Sequence, residues 1–243
     1  KLEPHAVPQT RPADLVVVTG ASRGYGQAVA AAIAQSSDGT GRTMVLTART
    51  ASGLDRTAGL VDRVGGGKWT VLRVATDLSN SDTLDKSLSH LMGSLPSDAG
   101  SVLLINNAGS LGGVTKTVAD MDNLVALREY FELNLISVIA LNARILQKFS
   151  GKQCTIVNIS SLLAVVPFSG YGLYATGKAA RDMLHSVMAK EHSNTHVKTL
   201  NYAPGPLDTD MQTEIRDTHM DAEQRVFYSK MKDEGTLLTP EQS

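Results

Sequence analysis

Tyr174 and Lys178 stand four residues apart in the stretch Y-A-T-G-K, and Ser161 lies thirteen positions before the tyrosine, at the end of an apolar run. On a helix this spacing puts a phenol and an ammonium one turn apart on the same face. A free phenol, with a pKa of about 10, is a poor acid at neutral pH. A fixed cation beside it favours the phenolate and brings proton transfer towards the working range. A serine hydroxyl returned by the intervening loop donates to the same substrate oxygen. Together these groups protonate a carbonyl oxygen while a hydride reaches the carbon. Y-x-x-x-K also arises by chance in many helices, so its weight rests on what the rest of the chain supplies.

A hydride needs a donor, and an early loop is fit to hold one. The apolar run Leu15–Val18 enters T-G-A-S-R-G-Y-G, which is Thr19, Gly20, Ala21, Ser22, Arg23, Gly24, Tyr25 and Gly26, and alanine-rich Q-A-V-A-A-A-I-A-Q follows. A strand, a glycine turn and a helix in that order offer a pyrophosphate free N–H groups and the positive end of a helix dipole. The spacing is G-x-x-x-G-x-G rather than G-x-G-x-x-G. The second apolar run ends T-A-R-T. Where a ribose 2′-hydroxyl would meet an acidic residue stands Arg49. Arg49 and Arg23, without a carboxylate nearby in the sequence, suit a 2′-phosphate, so NADP(H) is expected in preference to NAD(H). The alternative is two ordinary surface arginines.

The elements that must position these groups follow from hydrophobic runs. Leu15–Val18, Met44–Ala48, Thr70–Ala75, Val102–Ile105, Cys154–Ile159 and Val197–Tyr202 lack polar alternation, as strands covered on both faces do. Segments long enough for crossover helices separate them. The expected fold class is α/β, a single Rossmann-like doubly wound parallel sheet flanked by helices on both faces. Residues 1–13 read as a flexible polar tail and 14–243 as one NADP-binding domain.

Asp77, at the end of the third run, either accepts from an adenine amino group or caps the next helix together with Ser79. Asn106 and Asn107 in I-N-N-A-G suit cross-linking of strand ends, and Ala108 and Gly109 leave room for a flat cofactor. Asp120 to Phe149 reads mostly as one long helix, apolar at Leu124, Leu127, Phe131, Leu135, Val138 and Leu141. Asn134 interrupts that face. It is either a satisfied polar core residue or a site member that holds water or positions Lys178. The fifth run delivers Ser160 and Ser161 to the carboxyl end, where ligands of open α/β sheets bind. Tyr174 opens a helix reaching Glu191, apolar at Ala179, Met183, Val187 and Met188, whose spare face would suit a second subunit. Pro204 and Pro206 stiffen the turn around Gly205. Residues 208–237 are polar and mixed, suiting a mobile flap over the substrate. Thr239, Pro240 and Gln242 make a good helix start, one residue before the sequence stops. This predicts a longer natural chain, with a C-terminal strand outside this sequence.

Of 243 residues 42% are hydrophobic, enough for a sizeable core, and the net charge of −1 gives no case for nucleic acid or anionic membrane. No apolar run approaches the roughly 18 residues of a membrane span, and the N-terminus lacks the apolar core of a signal peptide. The single cysteine, Cys154, excludes an internal disulfide and reads as a buried strand position, which fits the cytoplasm. The histidines are scattered, and no metal is expected.

In order and spacing, T-G-A-S-R-G-Y-G, N-N-A-G, Asn134, Ser161, Y-A-T-G-K and P-G-P-L-D-T resemble the signature set of the short-chain dehydrogenase/reductase family, from about Leu15 to Gln242. L-L-I-N-N-A-G-S-L-G, V-N-I-S-S-L, G-K-A-A-R-D-M-L and L-N-Y-A-P-G-P-L-D-T-D-M resemble its pterin-reducing branch. The resemblance implies NADPH-dependent reduction of side-chain ketones, on 6-pyruvoyl-tetrahydropterin and sepiapterin, in tetrahydrobiopterin formation by a cytosolic homodimer. It implies that Gly20 to Gly26, Arg49, Thr50, Asp77, Leu78, Asn106, Lys178, Leu207, Asp208, Thr209, Asp210, Met211 and Gln212 bind NADP. Ser160, Ser161, Tyr174 and Gly205 would face the substrate. That branch grips the pterin ring with an aspartate near its C-terminus, and no segment of this sequence corresponds to it. Other ketones, including small diketones, quinones, steroids and acyl-carrier ketones, suit the same catalytic set. An NADP(H)-sensing binding protein and a nucleotide-binding methyltransferase are rival readings, opposed by the intact Ser161–Tyr174–Lys178 set and by Arg49.

Overall fold

All six apolar runs become parallel strands of one sheet: β1 (Leu15–Thr19), β2 (Arg42–Ala48), β3 (Trp69–Ala75), β4 (Ser101–Asn106), β5 (Gln153–Ile159) and β6 (Val197–Tyr202), in the order β3-β2-β1-β4-β5-β6. The computed structural model describes residues 13–243, so the expected tail lies outside the described residues except for its last position. β1 explains why its run has no polar side. Val16 and Val18 face an apolar layer made with α1 (Gly24–Ser36) and α2 (Ala51–Val64). Leu15 and Val17 face the opposite layer, made with α3 (Leu84–Ser94), α5 (Ser137–Lys148) and α6 (Gly172–Glu191). Successive side chains of a strand point to opposite faces, and here both are buried. Cys154 is buried in β5, and burial pushes its thiol pKa up.

Strand order reverses at β1, so a crevice opens between the carboxyl ends of β1 and β4, the usual ligand position in such sheets. Beyond β6, α7 (Asp210–Thr218) and α8 (Ala222–Asp233) lie over that edge. Segment 208–237, expected as a mobile flap, is largely helical. Its polar residues are the outer faces, while Met211, Ile215 and Tyr228 pack with Leu111, Val114, Tyr171 and Tyr174. A bridge between Leu207 and Leu238 closes the base of the helix pair, and Met220 N–H bonds Val114 O at 2.8 Å. Thr239 to Gln242 forms one closed turn, with the Gln242 side chain accepting from Thr239 N–H at 2.8 Å.

The long helix expected from Asp120 is interrupted. A short 3₁₀ turn, Val118–Asp120, precedes α4 (Leu124–Phe131), which starts on the side-chain cap of Asn123. A π-turn, Glu132–Ile136, then joins α4 to α5. Such a turn holds one extra residue and rotates everything before it. The expected inner face through Phe131 and Leu135 accordingly moves to Tyr130 and Asn134, while Val138 and Leu141, beyond the turn, stay buried. Leu124 is 63% exposed as a result.

Leu104 in β4 is fully buried between these layers. Leu104→Ala should lower the unfolding free energy by about 2–5 kcal/mol, measured by urea denaturation. A loss below roughly 1 kcal/mol would show a core that collapses around the deletion.

Candidate active site

At the carboxyl ends of β1 and β4, side chains finish the hydrogen bonding that the sheet leaves open. Thr19 Oγ1 accepts from the N–H groups of Asn107 and Ala108, both at 3.0 Å. Asn107 Nδ2 donates back to Thr19 O at 2.9 Å and Gly20 O at 3.2 Å. Gly20, with φ 66°, has no room for a side chain, since a Cβ would sit 2.9 Å from Ala108 Cα. A Cβ on Gly26 would collide with Gly20 O, so that glycine lets α1 press against the turn. Thr57 Oγ1, bonded to Ala21 O at 2.7 Å, secures the loop from α2.

The first-turn N–H groups of α1 receive no side-chain cap, because extended Arg23 stands at the cap position. Space beside Gly24 (φ 55°) is bounded by Thr209, which opens α7, and the space beside Gly205 (φ 82°) is open. Two helix N-termini thus border one crevice lined with glycine backbone, and the residues present fit a dinucleotide pyrophosphate. Buried Gln212 contributes an Oε1 without a partner among the described residues.

Several expected cofactor residues have other engagements. Arg23 has no carboxylate near it in the sequence, as expected, but it pairs with Asp210 of α7, distant in sequence. Exposed Arg49 forms no ion pair among the described residues and stands before exposed Thr50, at the N-cap of α2. The Tyr25 ring stacks on Tyr202 at 6.5 Å, and Ser22 packs beside Gly53. Asp77 accepts from Ser79 N–H at 2.8 Å and Ser79 Oγ at 2.6 Å, which closes a turn. α3 begins only at Leu84, so this is not the helix cap. Leu78 lies in the core, Asp208 pairs with Lys232, Leu207 is buried and Met211 belongs to the cover over the crevice. Asn106 turns its side chain towards Asn142, donating to its Oδ1 at 2.7 Å.

On the far side, α6 begins at Gly172, two residues before its expected start, and carries Tyr174 in its first turn. Lys178 Nζ lies 5.5 Å from the Tyr174 ring centre and donates to Ile159 O, at the end of β5, at 2.5 Å. Ser161 Oγ accepts from Leu163 N–H at 3.2 Å, leaving its own proton free to donate. Ser160 differs from expectation. It is buried and its hydroxyl is committed to Asp182 Oδ2 at 2.7 Å. Asn134 is fully satisfied: its Oδ1 accepts from Ser110 N–H at 2.9 Å, and its Nδ2 donates to Tyr130 O at 2.9 Å and Ser110 Oγ at 3.1 Å. It makes no hydrogen bond to Lys178.

Burial holds the Lys178 ammonium well below the usual lysine range, and the charge of Arg181 pushes the same way. Burial raises the Tyr174 phenol, opposed by the Ser161 hydroxyl and by Arg181. Arg181 is thus a further cation that favours the phenolate. Arg181 was not among the expected site residues, yet it lies seven positions past Tyr174 on the same helical face, where one further turn of the pattern finds it. Asp182, Tyr171 and Tyr228 also went unread, because their partners lie on other elements.

Comparison with known proteins places these features among relatives. The short chain dehydrogenase family model matches residues 14–220. Sepiapterin reductase of Meriones unguiculatus is 44% identical over 229 residues, covering 91% of this chain and 85% of that protein. Benzil reductase ((S)-benzoin forming) of Bacillus subtilis (strain 168) is 29% identical, covering 94% and 89%. The crystal structure of the KRED1-Pglu enzyme matches with a TM-score of 0.76 at 27% identity, covering 94% of this chain and 90% of that one.

A depressed native Lys178 means that the unfolded chain binds more protons, so this residue makes stability rise with pH up to the ordinary lysine range near 10.5. Lys178→Met lacks that slope. Its stability relative to the unsubstituted protein should grow as pH falls from that range towards neutrality, by denaturant melts at several pH values. A pH-independent difference would show an ordinary lysine.

Proposed function

The chain belongs to the short chain dehydrogenase family, and from that footing we propose that it is an NADPH-dependent carbonyl reductase acting on the side-chain ketone of a pterin. The observation that carries this reading is Tyr174, flanked by Ser161 and Lys178 at the carboxyl edge of the sheet and across from the glycine loop. The bound reduced nicotinamide supplies the hydride. Tyr174 gives its phenolic proton to the substrate oxygen, and Ser161 donates to that same oxygen. Lys178, anchored on Ile159 O, would hold the nicotinamide ribose and return a proton to the phenol. The α7–α8 cover excludes bulk water from this exchange.

Arg49, exposed and in no ion pair among the described residues, supports NADP over NAD. The Arg23–Asp210 pair is exposed on both sides, and such pairs contribute only about 0–1 kcal/mol. A 2′-phosphate therefore displaces it at little cost. Similarity to sepiapterin reductase supports the pterin. Exposed Ile136 and Ile139 beside the π-turn, and Met183 and Val187 on α6, support a homodimer. A single cysteine, buried, supports the cytoplasm. A second reading, reduction of an aromatic or small diketone, is favoured by the similarity to benzil reductase.

NADPH oxidation with sepiapterin, diacetyl and benzil in competition separates the two. Preference for sepiapterin in kcat/KM supports the pterin reading, and preference for a diketone replaces it. Tyr174→Phe should cut turnover by about 10²–10⁴-fold with NADPH binding retained; a near-normal rate removes the phenol from the mechanism. Arg49→Asp should weaken NADPH binding far more than NADH binding, by fluorescence titration, whereas equal losses would remove the argument for the phosphate.

A further inference from the structure

His185 lies fully buried behind the crevice, one turn past Arg181 on α6. Its Nδ1 stands 2.7 Å from Arg181 O, a carbonyl that can only accept, so Nδ1 carries a hydrogen. In the neutral ring Nε2 is then bare and accepts. Two amide nitrogens face it, Asn142 Nδ2 of α5 at 3.3 Å and Asn106 Nδ2 of β4 at 3.4 Å. The amides are joined to each other, with Asn106 Nδ2 donating to Asn142 Oδ1 at 2.7 Å. Asn106 Oδ1 is left buried without a partner among the described residues.

A proton on Nε2 would set three donors against one another with no acceptor among them. A second arrangement removes the conflict. If both amides turn over, each Oδ1 faces Nε2–H, and Asn142 Nδ2 donates to Asn106 Oδ1 in place of the reverse bond. Asn106 Nδ2 then stands where its Oδ1 is now, without a partner. Each arrangement leaves one atom of Asn106 unserved, so the protonation of His185 selects between them. Burial lowers the ionisation of His185 below the usual histidine range; the bond to Arg181 O raises it, the Arg181 charge lowers it and Asp182 raises it. Lys178 stands two turns back on α6, and Asn158 of β5 holds Arg181 Nε at 2.7 Å. The groups that α5, β4 and β6 bring to the ring and its backbone are neutral: Asn142, Asn106 and Thr199, whose hydroxyl donates to His185 O at 3.0 Å.

Asn106 links this cluster to the crevice. It ends β4, and its carbonyl accepts from Arg181 Nη2 while its amide reaches His185. The next two residues, Asn107 and Ala108, are those held by Thr19 at the turn into the glycine loop. An imidazolium at 185 and the Arg181 guanidinium would thus meet on one residue, in an interior where like charges repel strongly. We propose that Asn106, Asn142 and His185 form a proton-operated switch: uptake of one proton by His185 turns both amides and loosens the β4 wall of the crevice, so that the chain holds its dinucleotide less tightly in acid. The switch itself is independent of the reductase reading. Its effect on the dinucleotide rests on that reading.

The experiment follows the His185 ring nitrogens in ¹⁵N-histidine-labelled protein by long-range nitrogen–proton correlation spectra. They are assigned by their loss in His185→Phe, or in His185→Gln if the first variant does not fold. The titration runs from pH 8 down to the onset of unfolding by circular dichroism, with and without saturating NADP⁺. At pH 8 Nδ1 should be protonated and Nε2 bare, and on acidification Nε2 should take up a proton while the fold persists. A coupling of about 5-fold in affinity places the midpoint about 0.7 pH units lower with NADP⁺ bound, because linkage is reciprocal. A ring that carries its proton on Nε2 at pH 8, or that stays neutral until the chain unfolds, overturns the switch. Equal midpoints with and without NADP⁺ overturn its coupling to the crevice. If no nicotinamide dinucleotide binds, the reductase reading fails and the coupling with it, while the spectra without cofactor still decide the switch.

Discussion

A parallel sheet must stop somewhere, and its last carbonyls then need donors that the next strand does not provide. In this protein three side chains around the candidate site are among those donors. Lys178 serves Ile159 O, Arg181 serves Asn106 O and Ala108 O, and Asn107 serves Thr19 O and Gly20 O. The polar side chains thus hold the carboxyl ends of β1, β4 and β5 in place, and those ends hold the side chains in single positions. Rigid placement of this kind is what a proton-transfer site requires, because reacting groups tolerate little displacement.

The same economy explains what the sequence disclosed and what it hid. Features governed by local rules were legible. The strands are apolar because both faces are covered, the glycines mark backbone approach, and Tyr174 and Lys178 share a face because a helix repeats. Features governed by a partner far along the chain were not. Asp210 reaches Arg23 across 187 positions, and nothing near Arg23 announces it. The π-turn at Glu132–Ile136 arises where Asn134 bonds Tyr130 O and the 110 turn at once, a conflict that periodicity alone does not register. α7 and α8 present so few inward apolar residues that their composition reads as loop, although Met211 and Ile215 stand one helical turn apart.

Burial and charge compete over the phenol, and magnitudes decide which prevails. Desolvation is the largest influence on Tyr174 and raises its pKa, so Ser161 and Arg181 offset part of that rise rather than reversing it. The neutral phenol therefore persists at neutral pH, which is the form a reductase must present, since only O–H can protonate the substrate. A cation strong enough to ionise the phenol at neutral pH would leave it no proton to donate.

The cover over this site is fastened at both ends. α7 and α8 are not an unstructured loop that must order on each cycle. They form a helical pair held at its base by the Leu207–Leu238 bridge and at its tip by Met220 N–H on Val114 O, with His219 stacked 4.7 Å from Tyr171. Helices that already satisfy their own backbone pay no ordering entropy when they close. Tyr171 stands at the cap position of α6, its ring 6.4 Å from that of Tyr174, so His219 and Tyr174 pack against the same aromatic side chain. Cover and α6 thus share one packed contact beside the candidate site.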